Sequence, residues 1–132
     1  LVVEDDQDIL KLYQMQMSEW EFEFELLTAN NGYEGLLLSG VNIPNVIITD
    51  LFMPNMDGFH MIDVISSNSH LADCEIVVVT GLSQQDIVKR FPFPESVMVL
   101  SKPIPFETLK NIIKLKMEAS VQADARGGEW ML

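Results

Sequence analysis

The chain has 132 residues, 48% of them apolar, which is the size of one domain with a packed core. Twenty Asp and Glu against eight Lys and Arg give a formal net charge of −12, which argues against direct nucleic-acid binding. The single Cys74 excludes an internal disulfide and is typical of a reducing compartment, and no apolar run reaches the ~18 residues of a membrane helix. We therefore expect a cytoplasmic domain without membrane contact. Because Leu1 already belongs to a strand-like run, we also expect the first residues of the protein to be missing.

Short apolar runs predict the strands. Four of them are continuous and rich in β-branched residues, as in strands that are covered on both faces: 1–3, 46–48, 76–79 and 97–100. A fifth segment, 21–26, alternates Glu with Phe or Leu. This alternation predicts a strand with one wet face, near a sheet edge.

Helical periodicity separates the strands. The first predicted helix is 7–19, with Asp6 or Asp8 as N-cap, and a short helix is predicted near 33–39. A third helix follows Gly58. The fourth is capped by Ser83 and holds Ile87, Val88 and Phe91, and the last is opened by Pro105. Five strand–helix units predict a doubly wound α/β fold, a three-layer (βα)5 sandwich around a parallel five-stranded sheet. Residues 122–132 are expected to be a tail or the start of a linker, which leaves 1–121 as the domain.

Polar residues follow the strands. Glu4 and Asp5 come after the first, Asp50 after the third, Thr80 after the fourth and Lys102 after the fifth. If the first and third strands are neighbours, as in the flavodoxin-like order 2-1-3-4-5, these residues converge where such sheets bind ligands. The close carboxylates would raise each other's pKa, and Mg²⁺ would relieve their repulsion. With Lys102 and Thr80 holding a tetrahedral oxyanion, the set predicts phosphoryl transfer to Asp50 and an aspartyl phosphate product.

The same motifs resemble the receiver domain of two-component response regulators, from Leu1 to about Val121. They are the acidic pair Glu4-Asp5, Asp50 followed by M-P-N-M-D-G, Thr80-Gly81 and Lys102-Pro103, at similar spacings. The resemblance implies a phosphorylation-dependent signalling domain that accepts a phosphoryl group from a sensor histidine kinase or a phosphotransfer protein. It leaves room for an output domain in the same chain and allows a homodimer.

The resemblance also implies a role for each residue. Asp5 and Asp50 would ligate Mg²⁺ together with the backbone carbonyl of Phe52, and Glu4 would help through water. Thr80 and Lys102 would hold phosphoryl oxygens. The peptide bond before Pro103 is expected to be cis and to orient Lys102.

Several positions bear on tuning and switching. Phe52 and Leu82 stand two residues past Asp50 and Thr80, where the family tunes the phosphoryl lifetime, and their apolar character favours slow hydrolysis. Gly81 is the small neighbour of Thr80. Val99 departs from the family, which usually places an aromatic switch residue three positions before the lysine. The Phe-Pro-Phe-Pro-Glu segment 91–95 is a second departure, and it predicts that the fourth helix stops near Arg90 or Phe91.

Three other functions share parts of this pattern. A haloacid-dehalogenase-type hydrolase would require a second Asp where Phe52 stands. A flavodoxin would need a phosphate loop rich in Ser, Thr and Gly after the first strand, where Glu4, Asp5 and Asp6 would repel phosphate. A degenerate receiver that acts as a phosphorylation-independent interaction module is favoured by Val99 and opposed by the intact acidic, Thr and Lys positions. Apart from gaining and slowly losing its own phosphoryl group, the domain is not expected to be an enzyme.

Overall fold

The computed structural model describes residues 1–83, 85–87, 93–94 and 96–130, and only the backbone of 123–130. The strands are β1 (Val2–Val3), β2 (Thr28–Ala29), β3 (Val46–Thr49), β4 (Glu75–Thr80) and β5 (Met98–Ser101). The helices are α1 (Gln7–Ser18), α2 (Gly32–Asn42), α3 (Gly58–Ser66) and α4 (Phe106–Trp130), with a 3₁₀ turn at Ser69–Leu71. All strands pair in parallel in the order β2-β1-β3-β4-β5, so the predicted flavodoxin-like fold is confirmed.

The two faces of the sheet explain why the central strands are apolar without alternation. Ile47 of β3 and Val78 of β4 belong to one buried cluster, whereas their neighbours Ile48 and Val77 belong to the cluster on the other face. Burying each such side chain contributes about 1.5–3 kcal/mol. The middle positions of these strands are therefore apolar on both faces, and the polar residues Thr49, Glu75 and Thr80 stand at the strand ends.

Side-chain caps start the helices. Asp6 caps α1, because its Oδ1 accepts hydrogen bonds from the N–H groups of Asp8 (2.9 Å) and Ile9 (3.3 Å). The alternative cap, Asp8, lies inside the helix. Ser83 Oγ accepts from the N–H of Asp86 at 3.2 Å, as the sequence predicted for the next helix. Val88, Arg90 and Phe91, with the predicted end of that helix, lie outside the described residues.

The prediction of a strand at 21–26 is wrong. The alternation is real, because Glu21, Glu23 and Glu25 are exposed while the residues between them pack on the core. However, β2 contains only Thr28–Ala29, and the first hydrogen bond toward it runs from Val2 N–H to the Leu27 carbonyl at 2.9 Å. An alternating pattern reports which side chains are covered, whereas a strand also needs a paired backbone, and β1 offers only two residues for pairing.

Two predicted helix boundaries are also changed. The short helix expected near 33–39 is longer and runs from Gly32 to Asn42. The segment 122–130, expected to be a tail or linker, is helical, since α4 continues to Trp130 through two glycines. Its role as a linker stays a prediction. Within the part of the chain that the structure describes, no helix is both long and apolar enough to cross a membrane.

Candidate functional site

The parallel sheet brings the predicted site residues to one edge. Glu4 and Asp5 follow β1, Asp50 follows β3, Thr80 ends β4 and Lys102 follows β5. Because β1, β3, β4 and β5 are neighbours in register, their carboxyl ends lie side by side. The convergence expected from the 2-1-3-4-5 order is present.

Asp50 is paired at both of its carboxylate oxygens. Lys102 Nζ donates to Oδ2 at 2.7 Å, and the N–H of Leu51 donates to Oδ1 at 2.6 Å. The Asp50 side chain is 13% exposed and that of Lys102 is 33% exposed. The hydrogen bond to Asp50 is the largest cause of a raised pKa at Lys102, which keeps the ammonium charged. A carboxylate at the end of an apolar strand is therefore compensated by a cation from β5 and by the backbone.

The backbone around Asp50 leaves no room for a side chain at Gly58. A Cβ at this position would collide with the carbonyl oxygen of Asp50 and lie 2.9 Å from the Cα of Leu51. The Gly58 N–H also donates to the Leu51 carbonyl at 2.8 Å, closing the loop in which Asn55 adopts φ 71°. The M-P-N-M-D-G motif thus folds the start of α3 directly against the phosphoacceptor candidate.

Thr49 is a site residue that sequence reasoning missed. Its hydroxyl donates to the carbonyl oxygen of Asp50 at 2.8 Å, and the residue is 1% exposed. The signal that could have found it is a lone hydroxyl in an aliphatic strand, directly before the carboxylate. Thr49 satisfies a backbone acceptor next to Asp50 that would otherwise be costly to bury.

Glu4 and Asp5 differ in their surroundings. Glu4 is 4% exposed, and its Oε1 accepts from the N–H of Asp6 at 3.2 Å, whereas Asp5 is exposed. Burial is the main cause of a raised pKa at Glu4, to which the nearby charges of Asp50 and Asp5 add, while Lys102 opposes them. The four ionisable groups therefore share one local electrostatic field.

The donor set fits a magnesium ion. Among the residues that the structure describes, no cluster of three or more His, Cys, Asp or Glu side chains has metal-binding geometry. Magnesium, however, is commonly bound by only one or two carboxylates, with waters and substrate phosphate completing the shell. Asp5 and Asp50 would supply such carboxylates, and their charges add to the burial that raises the pKa of Glu4.

Thr80 and Lys102 are linked through the backbone. The N–H of Lys102 donates to the Thr80 carbonyl at 2.9 Å, and the Lys102–Pro103 peptide bond is cis, as predicted. Thr80 is 1% exposed, and its Oγ1 accepts from the N–H of Leu82 at 3.2 Å. A Cβ added at Gly81 would meet nothing within 4 Å, so the space beside Gly81 itself is open.

Three phenylalanines form a row beside the site. Phe52, 57% exposed, meets Phe59 edge-on with ring centroids 6.4 Å apart, and Phe59 stacks on Phe93 at 5.5 Å and 8°. Phe93 lies on the chain leading into β5, so the row joins that segment to the loop after Asp50. Nothing in the sequence pattern connected Phe93 to Phe52. The stacking shows local packing for Phe93, whereas Phe91 lies outside the described residues.

Two predicted tuning residues lie in the core rather than at the polar edge. Val99 sits in the middle of β5 and Leu82 follows β4; both are half-buried and pack against the same hydrophobic cluster as Phe93. The position expected to carry an aromatic switch is therefore aliphatic and packed. Of the tuning residues, only the Phe52 side chain stands exposed next to Asp50.

Comparisons with known proteins agree with this geometry. The sequence matches the family model described as response regulator receiver domain over residues 1–114. It is 27% identical over 114 residues to the probable C4-dicarboxylate response regulator DctR of Priestia megaterium, covering 86% of this chain and 49% of that protein. It is 30% identical over 132 residues to the transcriptional regulatory protein PdtaR of Mycobacterium tuberculosis, covering 98% of this chain and 61% of that protein. The chain thus spans about half to three fifths of the length of these relatives.

A solved structure shows the same fold. The signal receiver domain of a signal transduction histidine kinase from Syntrophus aciditrophicus superposes with a TM-score of 0.74 at 23% identity. The superposition covers 89% of this chain and 88% of that one.

Proposed function

The chain belongs to the response regulator receiver family of two-component systems, and we propose that it works as a phosphorylation-dependent switch with Asp50 as its phosphoacceptor. The observation that carries the proposal is the 2.7 Å pair of Asp50 and Lys102 at the edge where β1, β3, β4 and β5 end. The family is regulatory, and the chemistry proposed here is limited to gaining and losing one phosphoryl group.

The hydrogen bonds of Asp50 suggest which oxygen reacts. Oδ1 is held by the N–H of Leu51, which belongs to the rigid backbone, whereas Oδ2 is held by a lysine side chain. Lys102 can turn toward the incoming phosphoryl group, and this frees Oδ2 as the nucleophile. Oδ2 then forms the bond to phosphorus, while the bond between phosphorus and the donor nitrogen breaks and its electron pair stays on that nitrogen. Lys102 and the hydroxyl of Thr80 stabilise the charge on the transferred oxygens.

Magnesium would be held by Asp5 and Asp50, with the backbone carbonyl of Phe52 and with Glu4 acting through water. The ion supplies neutralisation of the charge on the phosphoryl group. It would also oppose the carboxylate repulsion that contributes to the raised pKa of Glu4. The exposed ring of Phe52 and the apolar Leu82 offer no polar group to position an attacking water, which favours a slow loss of the phosphoryl group.

The proposed donors are a sensor histidine kinase or a phosphotransfer protein in the cytoplasm. This chain matches only 49% and 61% of the length of the relatives named as response or transcriptional regulators. An output domain that follows α4 is therefore part of the proposal. Residues 122–132 would then begin the linker to it. The strongly acidic receiver itself would leave any nucleic-acid binding to that output domain.

Val99 favours one second candidate, a receiver that serves as an interaction module without phosphorylation. A packed aliphatic side chain at this position cannot swing toward Thr80 as an aromatic switch would. The row of Phe52, Phe59 and Phe93 provides a different physical connection, from the loop after Asp50 to the segment before β5. This connection keeps the phosphorylation-dependent switch as the first candidate.

Mass spectrometry of the intact chain separates the two candidates. Incubation with acetyl phosphate and Mg²⁺ is expected to add one phosphoryl group to the wild type and to Asp63→Asn, an exposed carboxylate on α3. Asp50→Asn is expected to gain none, because the nucleophilic oxygen is replaced by an amide nitrogen. Chelation of Mg²⁺ is expected to slow the reaction of the wild type. A wild type that gains no mass from acetyl phosphate or phosphoramidate would favour the interaction module.

A further inference from the structure

The peptide group between Asp50 and Leu51 takes part in two hydrogen bonds at once. Its carbonyl oxygen accepts from the Thr49 hydroxyl at 2.8 Å, and its N–H donates to Oδ1 of the Asp50 carboxylate at 2.6 Å. One planar group therefore joins the hydroxyl of Thr49 to the carboxylate, because the C=O and the N–H of a trans peptide point in opposite directions. Whatever fixes the plane of this peptide also fixes the place of Oδ1.

The paired part of β3 ends just before this peptide. Among the described residues, the last registered pairs of β3 are at Thr49, which lies opposite Val3 of β1 and Val78 of β4. Thr49 is thus held between two strands, and it is only 1% exposed. Asp50 comes one residue later, where the chain leaves the sheet. A hydroxyl from the last paired residue therefore extends the order of the sheet by one peptide group.

The start of α3 restrains the same peptide from a second element. A Cβ on Gly58 would collide with the Asp50 carbonyl oxygen and would lie 3.1 Å from the Asp50 carbonyl carbon. The Gly58 N–H also donates to the Leu51 carbonyl at 2.8 Å. The carbonyl of Asp50 is therefore restrained both by a hydroxyl of β3 and by the backbone of α3.

Threonine suits this position for two physical reasons. Its branched Cβ restricts χ1 on a strand, so the direction of the hydroxyl is well defined. A hydroxyl that donates to the carbonyl also polarises the peptide, and this strengthens the peptide N–H as a donor to the carboxylate. The other residues of β3, Val46, Ile47 and Ile48, share the branched shape but have no donor on the side chain. The hydroxyl is what distinguishes Thr49 from them.

We propose that Thr49 is a positioning residue of the phosphorylation site, which acts on the Asp50 carboxylate through the Asp50–Leu51 peptide. This inference rests on the proposed function, since it takes Asp50 as the phosphoacceptor. With Oδ1 held by the Leu51 N–H, rotation of the carboxylate is restricted and Oδ2 stays on the side of Lys102. Thr49 acts without touching the phosphoryl group, because it keeps the nucleophilic oxygen in the geometry that in-line transfer requires.

NMR of the unphosphorylated chain tests the positioning independently of phosphorylation. The Leu51 amide proton is expected far downfield in the wild type, because its hydrogen bond to a carboxylate is short. Thr49→Val keeps the branched shape but removes the donor, so this resonance is expected to move upfield. Thr49→Ser is expected to return it toward the wild-type position. A Leu51 resonance that Thr49→Val leaves in place would overturn the proposal.

Rates of mass gain with acetyl phosphate and Mg²⁺ test the consequence for the reaction. Thr49→Val is expected to be phosphorylated about 10-fold more slowly than the wild type, and Thr49→Ser to come within about threefold of the wild type. Ser39→Ala is the matched control, since Ser39 is also buried and its hydroxyl donates to the Gly35 carbonyl at 2.7 Å. This control loses a buried hydrogen bond far along the chain from Asp50, and it is expected to keep the wild-type rate.

The two measurements separate this inference from the proposed function. A wild type that gains no phosphoryl group contradicts the proposed function, while the Leu51 resonance still reports whether Thr49 orients the carboxylate. A phosphorylated wild type with an equal rate in Thr49→Val, or equal losses in Thr49→Val and Ser39→Ala, would overturn the role of Thr49 alone. Circular dichroism checks that each variant is folded. If Thr49→Val is not, Thr49→Cys replaces it, because a thiol is a weaker donor and the same changes are expected at smaller size.

Discussion

The polar edge of the sheet and the outer face of α2 both place residues in unfavourable surroundings, but in opposite ways. The polar edge partly buries charged groups, whereas the outer face of α2 exposes apolar groups to water. At the polar edge, Asp50 and Lys102 are charged groups in a partly buried place, and each finds its partner inside the chain at 2.7 Å. On α2, Leu37 and Val41 are apolar groups in water, and they remain exposed in the described structure. The difference teaches that a costly placement is compensated within the chain at the polar edge and is not compensated on this face of α2 in the described structure.

The largest expected effect comes from breaking the pair at the polar edge. Lys102→Met is expected to slow phosphorylation by acetyl phosphate about 100-fold, because one preorganised donor to the phosphoryl oxygens is lost. Its effect on the free energy of unfolding should stay within about 1 kcal/mol, since the pair is partly solvent-exposed. Rates of mass gain and urea unfolding measure the two quantities. Lys114→Met, an exposed lysine of α4, is the control, and equal rates for both variants would contradict the role of Lys102.

A smaller effect is expected from the backbone contact beside Asp50. Gly58→Ala should lower the free energy of unfolding by about 1–3 kcal/mol, because the new methyl group collides with the Asp50 carbonyl oxygen. Phosphorylation should also slow, since the carboxylate must move with its backbone. Urea unfolding monitored by circular dichroism measures the change in stability. An unchanged midpoint would show that the loop after β3 can relax at no cost.

The smallest effect, of opposite sign, is expected on α2. Gly40→Ala should raise the free energy of unfolding by about 0.5–1 kcal/mol, because the position is helical and a Cβ has open space. Urea unfolding monitored by circular dichroism measures this change as well. Gly58→Ala and Gly40→Ala make the same change at two glycines, and they are expected to shift the free energy of unfolding in opposite directions. A shift in the same direction would contradict the contrast between the two regions.

Much of the polar edge could be predicted because each of its residues follows a strong local signal. Asp50 follows a buried strand and Lys102 follows an apolar run of sequence, and parallel strands bring their carboxyl ends to one edge. Thr49 and Gly58 could not be assigned their roles in this way, because a hydroxyl bond to a backbone carbonyl and a steric contact depend on the path of the loop. The row of Phe52, Phe59 and Phe93 was missed for a similar reason, since its members are distant in sequence.

The strand at 21–26 failed for a different physical reason. Its alternation correctly identifies which side chains are covered. Backbone pairing, however, also depends on the partner strand, and β1 pairs with β2 only at Val2 and Val3. A pattern in one segment carries no information about the backbone groups available in another.

The sequence by itself determined the α/β class and which polar residues follow the strands, because period and position along the chain encode them, while the order 2-1-3-4-5 was expected by likeness to the flavodoxin-like fold. Only the tertiary structure decided where pairing stops, how the backbone closes around Asp50 and which way α2 faces. On α2, Leu36 and Leu38 pack against the core while Leu37 is exposed, and Gly35 lies against Val3 and Met61. The glycine lets α2 approach the sheet closely, and the distance between helix and sheet is contained in no local sequence pattern.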